Sequence, residues 1–167
     1  LTPGFAGAEI QNVCNEAAIV AARRAADAIS YKDFEVAADR VLAGLESNKI
    51  MTPEEKRIVA FHEAGHAVMA ALTPGYDGVA KVTIIPRTNG AGGFTLFTPS
   101  EDRMESGLYS YKFLKSQLSV ALGGRVAEEL AVGREEVTTG ASNDLQQVRD
   151  LARRMIAQWG FLADESN

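Results

Sequence analysis

A single cysteine, Cys14, is all the thiol this chain has, so it can neither close an internal disulfide nor complete a thiolate metal cluster. It sits in a helical pattern beside Val13 and Ala17, and its expected place is that of a small buried apolar residue. No run of Lys or Arg exists to track a phosphate backbone, and the net charge is −5, so nucleic acid is not an expected partner. No apolar run approaches the roughly 20 residues that span a bilayer. The opening Leu1-Thr2-Pro3-Gly4 has no signal-peptide character either, so the chain as it stands is expected to be soluble. Internal repeats and low-complexity tracts are lacking too. With 46% hydrophobic and 23% charged residues, the composition excludes a disordered or fibrous chain, and 167 residues suffice for one ordinary domain or two small ones. There is no initiating Met and the first motif stands at the very edge, so the sequence reads as a piece of something longer.

What is present is mostly helical periodicity. Ile10, Val13, Cys14, Ala17, Val20, Ala21 and Arg24 recur at three and four, predicting a helix from Gly7 to about Ala28. Ser30 with Asp33 three residues on predicts an N-cap, and Phe34, Ala37, Ala38, Val41 and Leu42 make an apolar face before Gly44 ends the second helix. Residues 1–48 thus read as a small helical unit, followed by a polar linker at Gly44–Met51. Thr52-Pro53-Glu54-Glu55 predicts a sharp helix start running to Leu72, where Thr73-Pro74-Gly75 stops it. Val79–Pro86 and Phe94–Phe97 read as two strands around the glycine-rich Gly90–Gly93, with Glu101 and Asp102 in a polar loop beyond. Two further helices are predicted, Ser110 to about Val132 and a last one capped by Ser142, closed at Trp159-Gly160. The pair Gly123-Gly124 costs helix propensity and makes sense where another backbone packs close.

Histidine is as scarce as it is informative. The chain has two, and both fall in His62-Glu63-Ala64-Gly65-His66. Chance placement would produce that motif about once in a thousand such sequences. On a helix, positions i and i+4 share a face, so both imidazoles can reach one ion about 2.0 to 2.1 Å away. Glu63 adjoins that face and is the candidate to move protons between water and a leaving amine. A catalytic zinc needs a third protein ligand and an open fourth position. Met69 and Leu72 stand where the longer motif would place its glycine and third histidine, so the third ligand must be a carboxylate, Cys14 or something less usual. Cys14 belongs to the first helical unit. Glu101, Asp102, Glu128, Glu129 and Asp144 stay open, since local chemistry does not choose among them.

The segments FHEAGHAV at 61–68, KVTIIPR at 81–87, ALGGRVAEEL at 121–130 and TTGASNDL at 138–145 together resemble the FtsH family of membrane-anchored, ATP-dependent zinc proteases. TPGFAGAEIQNVCNEAA at the start resembles the C-terminal part of that family's helical AAA lid. The resemblance implies Zn2+ held by His62, His66 and Asp144, Glu63 as base and then acid, and Glu128 outside the ligand set. It also implies that Gly7 and Ala8 stand near bound nucleotide in the full-length protein, where ATP and Mg2+ would bind. This chain lacks the G-x-x-x-x-G-K-[ST] loop, so it holds no ATPase core. The implied partners are unfolded polypeptide substrates and related subunits in a homo- or hetero-hexamer, with the membrane reached through segments outside this chain. GLYSYKFLKSQLSVALGGRVAEEL is most similar to the plastid and cyanobacterial branch, and NVCNEAA also to mitochondrial members. Thylakoid, bacterial inner membrane and mitochondrial inner membrane are the corresponding locations.

The expected protein is therefore mainly α with a small β-sheet: a partial AAA lid at 1–48, then a mostly helical zinc peptidase domain at 49–167. An extended substrate would add to an exposed strand edge near Phe97. The alternative is a catalytically silent ring subunit acting as a scaffold, which would be expected to have lost a ligand or the glutamate.

Overall fold

The computed structural model describes residues 2 and 5–161. Pro3 and Gly4 of the opening motif lie outside the described residues. The chain is mainly helical with a two-stranded sheet, as expected: α1 (Gly7–Arg23), α2 (Tyr31–Ala43), α3 (Pro53–Leu72), β1 (Gly78–Thr83), β2 (Phe94–Thr98), α4 (Glu101–Ser106), α5 (Tyr111–Val132) and α6 (Ser142–Ala157), with a 3-10 turn, Thr139–Ala141, before α6. No helix among the described residues is long and apolar enough to cross a membrane. Two compact units form, Leu1–Ile50 with Ile85–Phe94, and Met51–Ile84 with Thr95–Asn167.

In the first unit α1 and α2 bury Val13, Ala17, Ala37 and Ala38 against each other, with Phe5, Phe34 and Val41 packed around them. Three of the four are alanines, so little side-chain bulk stands between the two helices. Cys14 lies about 100° around the helix from Val13 and is exposed, which corrects the expectation of a buried thiol. Helix α1 also stops at Arg23, earlier than its apolar spacing suggests. Ala25 takes the left-handed conformation at φ 52°, and Ala26 N–H and Ala25 N–H bond the carbonyls of Ala21 and Ala22 at 3.1 and 3.0 Å. This Schellman arrangement satisfies the last carbonyls and reverses the chain.

Arg24 can then turn onto the start of α2. Its Nε and Nη2 donate to Asp33 Oδ1 and Oδ2 at 2.9 and 2.6 Å, while Ser30 gives Oδ2 its N–H and hydroxyl, each at 2.7 Å. Hydrogen bonding from Arg24 first, then from Ser30, holds the Asp33 carboxyl well below the usual carboxylate range. A group whose folded pKa is depressed stabilises the fold at neutral pH and loses that effect as pH falls below its unfolded value near 4. Asp33→Asn should therefore lower the melting temperature of the α1–α2 unit at pH 7, and the gap to the parent should narrow steadily below about pH 4. Melting curves of equal separation across that range would contradict the assignment.

The segment 85–94 joins this unit, so β1 ends at Thr83 and not at Pro86 as expected. Main-chain pairing takes it away from the strand: Ser47 N–H bonds Pro86 O and Thr88 N–H bonds Leu45 O, both at 2.8 Å. Arg87 is buried there, donating to Gly44 O at 3.3 Å and lying over the Phe94 ring at 5.0 Å, with Asp39 and Glu46 at 3.8 and 4.0 Å.

In the second unit Thr52 caps α3 reciprocally with Glu55, the two bonds measuring 2.8 and 3.1 Å. Ser110 caps α5 by accepting from Phe113 N–H at 3.2 Å. Leu114 of α5 packs with Leu151 and Met155 of α6, with Leu118 and Phe161 alongside. Ser142 is not the cap of α6. It is the first helical residue, its hydroxyl donates to Thr139 O at 2.5 Å, and Ala141 occupies the cap position. Glu101 and Asp102 open the short helix α4 and are not in a loop.

Candidate metal centre

Helix α3 carries His62, Glu63 and His66 on its buried face. The helix it packs against is α5, and the contact is backbone on backbone. A Cβ on Gly65 would lie 2.3 Å from Gly123 O, and one on Gly123 would lie 2.7 Å from Gly65 O. Only glycine at both positions permits that approach, which explains why α5 tolerates two consecutive glycines. The second one leaves the room above it to the imidazoles. A Cβ on Gly124 would sit 2.5 Å from His66 Nε2 and 2.7 Å from His62 Nε2.

Each imidazole has one nitrogen committed elsewhere. His62 Nδ1 lies 2.7 Å from Glu128 Oε1, and His66 Nδ1 lies 2.8 Å from the Val120 carbonyl. A carboxylate and a carbonyl only accept, so both Nδ1 atoms donate, and in neutral rings both Nε2 atoms are left as lone pairs. These two lone pairs face each other at 3.1 Å, with Asp144 Oδ2 at 3.1 Å from one and 3.6 Å from the other. Three electron-rich atoms converging in a buried place repel unless a cation lies among them. Donors about 2.0 to 2.2 Å from a tetrahedral ion stand roughly 3.3 Å apart, the spacing found here, so the residues present fit zinc.

Without an ion the same crowding must be relieved by protons. Burial opposes charge on His62, but hydrogen bonds to Asp144 and Glu128 outweigh it, and its pKa is raised. Burial likewise opposes charge on His66, where hydrogen bonds to Asp144 and Val120 prevail and raise it. Asp144 is pushed up by burial and pulled down further by its bonds to the two histidines, ending well below the usual range.

Glu128 is almost completely buried, at 1% exposure, although its place on a helix admits a solvated residue. Its Oε1 holds His62, and its Oε2 accepts from Thr138 N–H and hydroxyl at 3.0 and 2.9 Å. Both oxygens are thereby used, one orienting a histidine and the other fixing the loop that leads to Asp144. Thr138 in turn caps the 3-10 turn through Gly140 N–H at 3.0 Å. Glu63 is buried beside His62, with its Oε2 accepting from the Thr95 hydroxyl at 2.8 Å. Burial raises its carboxyl, against the Thr95 hydrogen bond and the nearby histidines.

Among the other candidates, Glu101, Asp102 and Glu129 are exposed, and Cys14 is in the other unit. Gly7 and Ala8 open α1 and are exposed, with open space where a Gly7 side chain would be. Thr95, Thr138 and the Val120 carbonyl escaped the sequence reading. Thr138 had a signal, its place in the TTGASND segment, whereas Thr95 and Val120 are brought in by tertiary packing alone.

The sequence model of peptidase family M41 matches residues 49–165, and that of an AAA+ lid domain matches residues 1–36. The chain is 60% identical over 161 residues to the ATP-dependent zinc metalloprotease FtsH 3 of Synechocystis sp., covering 96% of this chain and 26% of the relative. It is 58% identical to the chloroplastic ATP-dependent zinc metalloprotease FTSH 1 of Arabidopsis thaliana, covering 96% and 22%, and 53% identical to an FtsH of Synechococcus sp., covering 96% and 25%. The chain thus spans about a quarter of the length of the curated relatives it matches. With an HExxH helix folded as described and a family match over most of its length, the chain belongs to peptidase family M41, that of the FtsH proteases.

Proposed function

We propose that this chain is the zinc-dependent endopeptidase part of a membrane-anchored, ATP-dependent protease acting on unfolded polypeptide. The observation that carries the reading is the convergence of His62 Nε2, His66 Nε2 and Asp144 Oδ2 beside the buried carboxylate of Glu63. All four groups are in place, which favours an active subunit over a silent scaffold.

His62, His66 and Asp144 would hold the zinc, with Glu128 and the Val120 carbonyl fixing the rings so that Nε2 faces the ion. When bound, zinc supplies Lewis acidity to the scissile carbonyl and to water. Glu63 takes the proton of the attacking water and returns it to the leaving amine. Burial raises its carboxyl and so strengthens it as an acceptor, while the Thr95 bond opposes that rise. The two-stranded sheet leaves β2 an edge, along which an extended substrate would add by main-chain hydrogen bonds that carry little sequence information. We further propose, from the FtsH resemblance, a homo- or hetero-hexameric ring, a membrane anchor in other segments of the protein and Gly7 and Ala8 near bound nucleotide; relatives from a cyanobacterium and from chloroplasts support a thylakoid or bacterial inner-membrane location.

One zinc per chain is expected at neutral pH. Each imidazole must be unprotonated at Nε2 to ligate, so protons compete with the ion and zinc occupancy should fall as pH drops through the histidine range. Elemental analysis after dialysis at stepped pH checks this, and protein free of transition metal at pH 7.5 would count against the site.

Glu63→Gln should keep the zinc and lower turnover by about 100-fold or more, since an amide cannot accept the proton. Peptidase assays on an unstructured fluorogenic peptide, paired with metal content, check both halves. Parental turnover in the variant would remove Glu63 from its role.

A further inference from the structure

A glutamate on a helix has its Cβ fixed, but three side-chain torsions still decide where the carboxylate lies. For a group that must meet a water at one place, that freedom is costly. At Glu63 the freedom is removed from outside the helix: Thr95 of β2 sets its hydroxyl 2.8 Å from Oε2 and 3.2 Å from the glutamate's own main-chain oxygen. One hydroxyl has one proton. The charged carboxylate is the stronger acceptor and takes it, and the second contact holds the hydroxyl over the helical turn that carries Glu63.

The donor is itself stiff. Threonine is β-branched, so its χ1 is restricted on a strand, and little entropy is lost in aiming it. The bond engages Oε2, so the proton-accepting role falls to Oε1. It also keeps the carboxylate from swinging toward the converging histidine nitrogens, where a cation would capture it as a further ligand and remove it from proton transfer.

We infer that Thr95 is a positioning residue for the peptidase reaction, holding one carboxylate oxygen of Glu63 so that the other is presented to the attacking water. The inference rests on Glu63 being the proton carrier. Thr95 then affects the chemical step and not the capture of substrate, because it acts on the glutamate and not on the peptide.

Thr95→Val keeps the branched shape and strand propensity and deletes only the hydroxyl, whereas Thr95→Ser keeps the hydroxyl. With the zinc-loaded chain and an unstructured fluorogenic peptide, Thr95→Val should lower kcat about tenfold or more with KM within about twofold, and Thr95→Ser should recover most of it. Zinc content should stay at one per chain in both. A second readout needs neither zinc nor turnover: in the metal-free chain, NMR relaxation of the Glu63 side-chain methylenes should show order lost in Thr95→Val and restored in Thr95→Ser. Unchanged kcat, a loss confined to KM, or unchanged Glu63 order in Thr95→Val overturns the inference while leaving Glu63 in its role. A parent chain that binds zinc but cleaves no peptide overturns the proposed function, and this inference with it.

Discussion

Gly124→Ala should yield a folded chain that no longer holds zinc. The new methyl carbon would lie 2.5 Å from His66 Nε2 and 2.6 and 2.7 Å from His62 Cε1 and Nε2, closer than any carbon tolerates. A flexible side chain would swing aside at small cost, but these rings are pinned from behind, His62 by Glu128 at 2.7 Å and His66 by Val120 O at 2.8 Å. To admit the methyl they must break those bonds or turn Nε2 away from the convergence point. The helix itself gains, since alanine in mid-helix is favoured over glycine by up to about 1 kcal/mol. That gain offsets part of the cost of the broken bonds, so stability should change far less than metal binding. Zinc affinity should fall by a factor on the order of a thousand and peptidase activity with it, while the chelator-treated variant melts at or near the temperature of the chelator-treated parent. Elemental analysis and thermal melts by circular dichroism read both. A variant that retains one zinc at parental affinity would mean that the two rings do not meet above Gly124.

The histidine pair was legible because its geometry is local: residues four apart on a helix share a face whatever the rest of the chain does. The helix starts were legible for the same reason, since Thr52 and Ser110 satisfy amides within three residues of themselves. Ligand choice was not local. Asp144 and Glu129 are both carboxylates on helices, and what separates them is that α6 brings one to the histidines while α5 turns the other to solvent. Glu128 and Glu129 are consecutive in sequence, yet one is the most deeply buried charged residue described and the other is exposed, because neighbours on a helix differ by 100° in direction. The same geometry put Cys14 outside while Val13 went in. Propensity misplaced the end of β1, since β-branched Ile84 and Ile85 look like strand until Pro86 and Thr88 are seen to pair with Ser47 and Leu45. Thr95 carried no signal at all, because one threonine in a strand gives no hint of the helix it faces.

Asp144→Asn separates ligation from helix capping. An aspartate in the first turn of a helix is favoured by the unpaired amides and the dipole by roughly 0.3 to 1 kcal/mol, with or without a metal nearby. Here the side chain points elsewhere, its Oδ2 lying 3.1 and 3.6 Å from the two Nε2 atoms. Asparagine keeps the size and much of the capping ability and removes the charge, so a purely structural aspartate would leave zinc affinity untouched. A ligand would not. Loss of the one anionic donor among three leaves two neutral imidazoles, and affinity should drop by a factor on the order of a thousand, with peptidase activity falling in step at limiting zinc. Glu129→Gln should be silent, since that side chain is exposed. Glu128→Gln should fall between the two, because the amide can still accept from one partner but no longer offers a charged acceptor to His62 Nδ1, a change worth about 10- to 100-fold. The ordering of the three zinc affinities, measured by competition with a chromophoric chelator, is therefore the decisive result. If Glu128→Gln abolished binding and Asp144→Asn left it intact, the third ligand would be Glu128, and the Glu128 contacts to His62 and Thr138 would have to rearrange when the metal binds.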